Sequence, residues 1–142
     1  MPEVDCAVRY NGAREELTQS FDLAREPLDM DCAIAIQYLP MDTTSDEETC
    51  RVVDAVIAYI DSTGLDYYVG PFETTIEGAY DRCMDVLREC QLVGARAGCG
   101  HVMTYAKIDY RPDGDVMSTE RKIGKYHEGD PEFAAREEGS VA

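Results

Sequence analysis

Tryptophan is missing, phenylalanine appears three times and histidine twice, and 13 basic residues face 29 acidic ones across 142 positions. The shortage of Lys and Arg speaks against nucleic acid, whose phosphates are bound by clusters of cations that displace counterions. At a net charge of -16, DNA and RNA are poor partners. Long apolar runs are missing too: Val52 to Ile60 is interrupted by Asp54 and falls far short of the roughly 20 residues that span a bilayer. The first residues lack the basic-then-apolar order of a secretory signal. Together these absences predict a soluble, cytoplasmic protein with no membrane insertion.

The six cysteines (Cys6, Cys32, Cys50, Cys83, Cys90 and Cys99) show no C-x-x-C spacing and do not form a short secreted framework. They are expected to be reduced and buried, with no zinc and no metal site. Cys83 and Cys90 share the apolar face of a helical pattern, which suits small core hydrophobes. Catalytic signatures are also scarce. Neither His101 nor His127 has a Ser or Cys arrangement of the activated-nucleophile kind, and H-E-x-x-H and phosphate-cradling glycine loops are absent. No enzyme and no cofactor are expected.

What remains fits one domain. Residues 1–30 read as an extension with a weak helix over Ala13–Leu23, residues 31–112 as the folded unit, and residues 113–142 as an acidic extension. Within the unit, Cys32 to Tyr38 is a short, partly β-branched apolar run stopped by Pro40, a buried strand. Ser45 with Glu48 has capping-box spacing and opens a helix with apolar positions Val53, Val56, Ile57 and Ile60, ended near Ser62 by Gly64. Leu65 to Val69 and Thr74 to Glu77 form a hairpin around Gly70-Pro71. Ala79 starts a second helix, with Cys83, Val86, Leu87 and Cys90 on one face, that ends by Gly98. His101 to Tyr110 is the last strand. Ser118 to Tyr126 reads as a short capped helix, and Glu128 to Ala142 as a mobile acidic tail.

The order strand, helix, strand, strand, helix, strand predicts an α+β, ferredoxin-like split βαβ fold (βαββαβ), an antiparallel four-stranded sheet with two helices on one face. The other face is then open. Alternation puts Val102, Ala106 and Ile108 towards the helices and Met103, Tyr105 and Lys107 on the open side. A face of that kind serves oligomer contact, ligand binding or both.

Thr74-Thr75-Ile76-Glu77-Gly78 places paired hydroxyls and a carboxylate on a strand that ends where a helix begins. With Tyr38-Leu39-Pro40-Met41 at the end of the first strand and Lys107-Ile108-Asp109 in the last, it resembles the YkoF-like thiamine-binding and hydroxymethylpyrimidine-binding family. The resemblance implies a non-catalytic cytoplasmic protein that binds thiamine or its pyrimidine precursor in transport, storage or salvage of vitamin B1. A single unit implies a homo-oligomer. Thiamine carries a permanent cation, an aminopyrimidine edge and flat rings, so its pocket needs a carboxylate, hydrogen-bond partners and aromatic or Met walls. Glu77 or Asp66 could supply the charge, Thr74 and Thr75 the hydrogen bonds, and Tyr38, Met41, Tyr67, Tyr68 or Tyr105 the walls. Each has a plainer reading: strand threonines are favoured for their branching, and tyrosines near a sheet are often core or interface residues. The alternative is an oligomerisation or regulatory module of the same fold without a vitamin ligand.

Overall fold

A computed structural model describes residues 30–130; the expected helix over 13–23, Cys6 and the tail residues 131–142 lie outside them. The elements run β1 (Cys32–Pro40), α1 (Asp46–Ser62), β2 (Asp66–Val69), β3 (Thr74–Gly78), α2 (Tyr80–Arg96), β4 (Val102–Tyr110) and α3 (Thr119–Ile123), which continues into a 3-10 turn over Gly124–Tyr126. The four strands form one sheet in the order β2-β3-β1-β4, every pair antiparallel. This is the expected split βαβ arrangement.

Local chemistry accounts for the element ends. The Ser45 hydroxyl accepts from the Glu48 N–H at 3.2 Å and caps α1, while the Glu48 carboxylate reaches one residue further back than a simple capping box, to the Thr44 N–H at 3.0 Å. The Thr44 N–H and the Thr44 hydroxyl, both donated to that carboxylate, hold the Glu48 carboxyl below the usual range. Gly64, at φ +75, turns the chain out of α1. Ala79 offers α2 no side-chain cap; Asp31, ahead of β1, accepts from the Tyr80 N–H at 2.8 Å instead. β1 continues through Pro40 rather than stopping before it. Beyond Ile36 it pairs with β4 alone, so a residue without an N–H is tolerated there.

The core lies between the sheet and the two long helices. Cys32, Ile34, Ile36 and Tyr38 of β1 and Ile76 of β3 pack on Val52, Val56 and Ile60 of α1 and on Cys83, Val86 and Cys90 of α2. The α1 stripe is Val52, Val56 and Ile60: Val56 and Ile60 are buried as expected, whereas Val53 and Ile57 are only half-buried and Val52 is buried beside them. Burial of the cysteines holds for Cys32, Cys83, Cys90 and Cys99. Cys50 is exposed, because its helix position points away from the Val52, Val56 and Ile60 stripe.

The face opposite the helices is not bare across its whole width. The chain after β4 returns along it, and Val116 and Thr119 become buried. No helix among the described residues is long and apolar enough to cross a membrane.

Candidate functional site

Strand alternation sorts the candidate residues onto two faces. Tyr38, Tyr67 and Thr74 face the helices. Tyr38 is buried, with its hydroxyl against Gly94 of α2 and without a hydrogen-bond partner. Tyr67 packs against the core and donates its hydroxyl to Asp61 of α1 at 2.8 Å. Thr74 is buried opposite Ile36 and Val69. Met41 is exposed just past β1, its N–H bonded to the His101 carbonyl at 2.8 Å.

Tyr68, Thr75, Glu77 and Tyr105 share the other face with Asp66, and the register lays that face out in rungs. One rung reads Asp66, Glu77, Ala33, Asp109 from β2 to β4, and the next Tyr68, Thr75, Ala35, Lys107. Beyond them Gln37 pairs with Tyr105 and Leu39 with Met103. The face therefore grades from acidic, through mixed polar and aromatic, to apolar. The alanines of β1 make its floor low, with longer side chains rising from the strands on both sides. Three carboxylates on one rung repel one another, and a cation placed among them relieves that repulsion.

Several of these groups are held in place. The Glu77 side chain is buried, and its Oε1 accepts from the Thr119 N–H. Lys122 reaches Asp109 at 3.7 Å, and Lys107 pairs with Glu73 at 2.9 Å. Tyr68 meets His127 edge-on, ring centroids 5.7 Å apart, with 3.4 Å between the phenol oxygen and Nε2. His127 Nδ1 lies 3.4 Å from Asp130 Oδ2. Among the described residues no group of three or more His, Cys, Asp and Glu side chains is placed to hold a metal ion.

Comparison with known proteins shows the family of the chain. A family model described as thiamine-binding protein matches residues 34–127. The chain belongs to that thiamine-binding protein family. A UPF0045 protein of Clostridium perfringens is 40% identical over 95 residues, 67% of this chain and 96% of the relative. Among solved structures, a domain of unknown function DUF77 from Bacillus cereus matches at TM-score 0.63 and 31% identity, covering 74% of this chain and 98% of that one. A Thermotoga maritima protein assigned provisionally to thiamine biosynthesis or salvage matches at TM-score 0.58 and 29% identity, covering 67% and 97%. A general thiamine-related role follows from this membership.

The residues matched by the family model take in α3 and end at His127. None of the residues of the returning segment is among the candidates that the sequence pattern points to. Ala33 and Ala35 carried a usable signal, two small side chains at alternate positions of a central strand. Thr119 and His127 carried none, because their partners Glu77 and Tyr68 lie 42 and 59 positions away.

Proposed function

We propose that this chain binds thiamine or its hydroxymethylpyrimidine precursor without catalysing a reaction, as a cytoplasmic homo-oligomer serving vitamin B1 transport, storage or salvage. The observation that carries the reading is the acidic rung of Asp66, Glu77 and Asp109 beside Tyr68, Thr75 and Tyr105 on one sheet face of a thiamine-binding family member. A permanent cation suits the carboxylates, a flat ring suits the alanine floor between tyrosines, and the Thr75 hydroxyl and Gln37 amide offer hydrogen bonds to a heterocycle edge. Tyr68, Thr75, Glu77 and Tyr105 form the contact set in this reading. Tyr38, Tyr67 and Thr74 act from behind the sheet as packing. Met41, beyond the Leu39 and Met103 rung, borders the apolar end.

The test is a thermal melt with and without each ligand. A ligand at 100 times its dissociation constant adds about 2.7 kcal/mol if it binds only the native state, which for a domain near 100 residues raises the midpoint by on the order of 10 °C. No shift at millimolar thiamine or hydroxymethylpyrimidine in folded protein refutes the reading. The exposure of Met103 and Tyr105, 41% and 58%, favours the second reading, an oligomerisation module without a vitamin. That module would assemble and show no ligand-dependent shift.

A further inference from the structure

After β4 the chain turns at Arg111-Pro112-Asp113-Gly114, with the Gly114 N–H on the Arg111 carbonyl at 3.4 Å, and is moored where the Val116 N–H meets the Met30 carbonyl at 2.9 Å. From that mooring the segment crosses the sheet. Its contacts fall on Tyr68 of β2, Glu77 of β3 and Asp109 of β4, all on the face away from the hydrophobic core. Burial follows the same line: Ala33 and Glu77, in the middle of the rung beneath, are buried while Asp66 and Asp109 at its ends are exposed, and on the next rungs Ala35 and Gln37 are half-buried and Tyr105 is exposed. The segment therefore covers the middle of the acidic rung, leaves Asp66 and Asp109 at its two ends exposed, and keeps the aromatic and apolar end accessible.

We propose that the segment from Val116 to Asp130 is the end wall of the ligand site, and that Thr119 and His127 are positioning residues that present Glu77 and Tyr68 as hydrogen-bond acceptors. The inference rests on the vitamin-binding reading above and adds to it a basis for selecting the ligand. A carboxylate accepts several hydrogen bonds, so the Thr119 N–H on Oε1 orients Glu77 while Oε2 keeps its acceptor capacity. Asp130 next to Nδ1 draws the imidazole proton to that nitrogen, which makes Nε2 the acceptor for the Tyr68 O–H. With its proton directed to His127, the Tyr68 oxygen faces other groups as an acceptor. Two acceptors on one face, on neighbouring rungs of β2 and β3, select a heterocycle edge that carries N–H donors. An aminopyrimidine has such an edge, and its 4-oxo analogue places an acceptor where the amino group was.

Calorimetric titration of the full chain with thiamine and with its 4-oxo analogue tests this in four proteins: the unmutated chain, Thr119→Pro, Thr119→Ser and His127→Phe. Proline removes the 119 N–H and is suited to the first helical position, and Ser118, at φ -64 and ψ 154, already has the conformation that a residue before proline adopts. The unmutated chain is expected to prefer thiamine. Thr119→Pro should weaken thiamine about tenfold, the scale of one lost hydrogen bond at a charged group, and Thr119→Ser, which keeps the N–H, should retain affinity. His127→Phe should lower the preference for thiamine over the 4-oxo analogue by a similar factor, and it keeps the test decisive if Thr119→Pro fails to fold. Equal binding of both ligands in all four proteins, or lower melting temperatures with unchanged affinities, overturns the inference while the vitamin-binding reading stands. Failure of the unmutated chain to bind either compound overturns both.

Discussion

Replacing Gly94 by Ala separates intrinsic helix propensity from the packing observed between β1 and α2. A Cβ at that position would stand 1.8 Å from the Tyr38 hydroxyl oxygen and 2.6 Å from the ring carbon that bears it. On propensity alone, Gly to Ala inside a helix stabilises by about 1 kcal/mol. The overlap is with a buried ring, so overpacking at the upper end of its usual range, about 3 kcal/mol, sets the opposing effect. A net loss of about 2 kcal/mol follows, or roughly 8–16 °C of melting temperature for a domain of this size. Tyr38→Phe alone should stabilise by about 1 kcal/mol, because it removes a buried hydroxyl that has no partner. It should rescue Gly94→Ala only in part, since the ring carbon still collides, whereas Tyr38→Leu should rescue more. Urea or thermal melts of the single and double variants give the coupling directly. A Gly94→Ala protein as stable as the parent, or more so, would show that propensity wins and that Tyr38 does not abut the helix as described.

Burial pushes the thiols of Cys83 and Cys90 up to about 12 and that of Cys32 to about 11, from an ordinary 9.0. Each folded value exceeds the unfolded one, so this contribution is intact below pH 9 and is lost as pH rises from there towards 12, at roughly 1 kcal/mol per thiol near pH 10. Urea midpoints should fall above pH 9, and Cys83→Ala should flatten the alkaline limb; an unchanged slope in that variant would refute the assignment. Under native conditions a maleimide should modify Cys50 well before Cys32, Cys83 or Cys90, because only Cys50 of the four is exposed; mass spectrometry of digested protein reads the order, and equal labelling contradicts the burial. Tyr105→Asp, placing a charge on the exposed face beside Met103, should lower the assembled fraction seen by light scattering. A parent chain that is monomeric at micromolar concentration argues against the homo-oligomer.

Features with local causes were readable from sequence. The Ser45 cap, the apolar stripe of α1, the Gly64 stop and the Gly70-Pro71 hairpin each depend on residues within a few positions of one another, and they suffice for the order of elements and hence the split βαβ fold. The shortfalls lie where partners are far apart. Asp31 caps α2 from 49 positions before Tyr80, and no pattern around Ala79 predicts it. Pro40 remains in β1 because β3 runs out at Ile36, a property of the neighbouring strand and not of the proline.

The candidate site divides for the same reason. Tyr67 and Tyr68 are chemically alike and adjacent, as are Thr74 and Thr75, so residue type nominates both members of each pair. Register sends one of each to the helices and the other to the opposite face. A period of two makes that division certain once the core face is known, and Ile34, Ile36 and Ile76 identify the core face. Applied to β1, the same rule turns Ala33 and Ala35 from weak strand residues into the low floor beneath the acidic and aromatic rungs. No such rule reaches the segment after β4, whose place depends on where Glu77, Asp109 and Tyr68 stand after the sheet has formed. In the vitamin-binding reading, ligand contact therefore falls less to the Thr74 to Gly78 motif by itself than to the rungs it joins, in which one of its threonines and its glutamate meet residues from the three other strands.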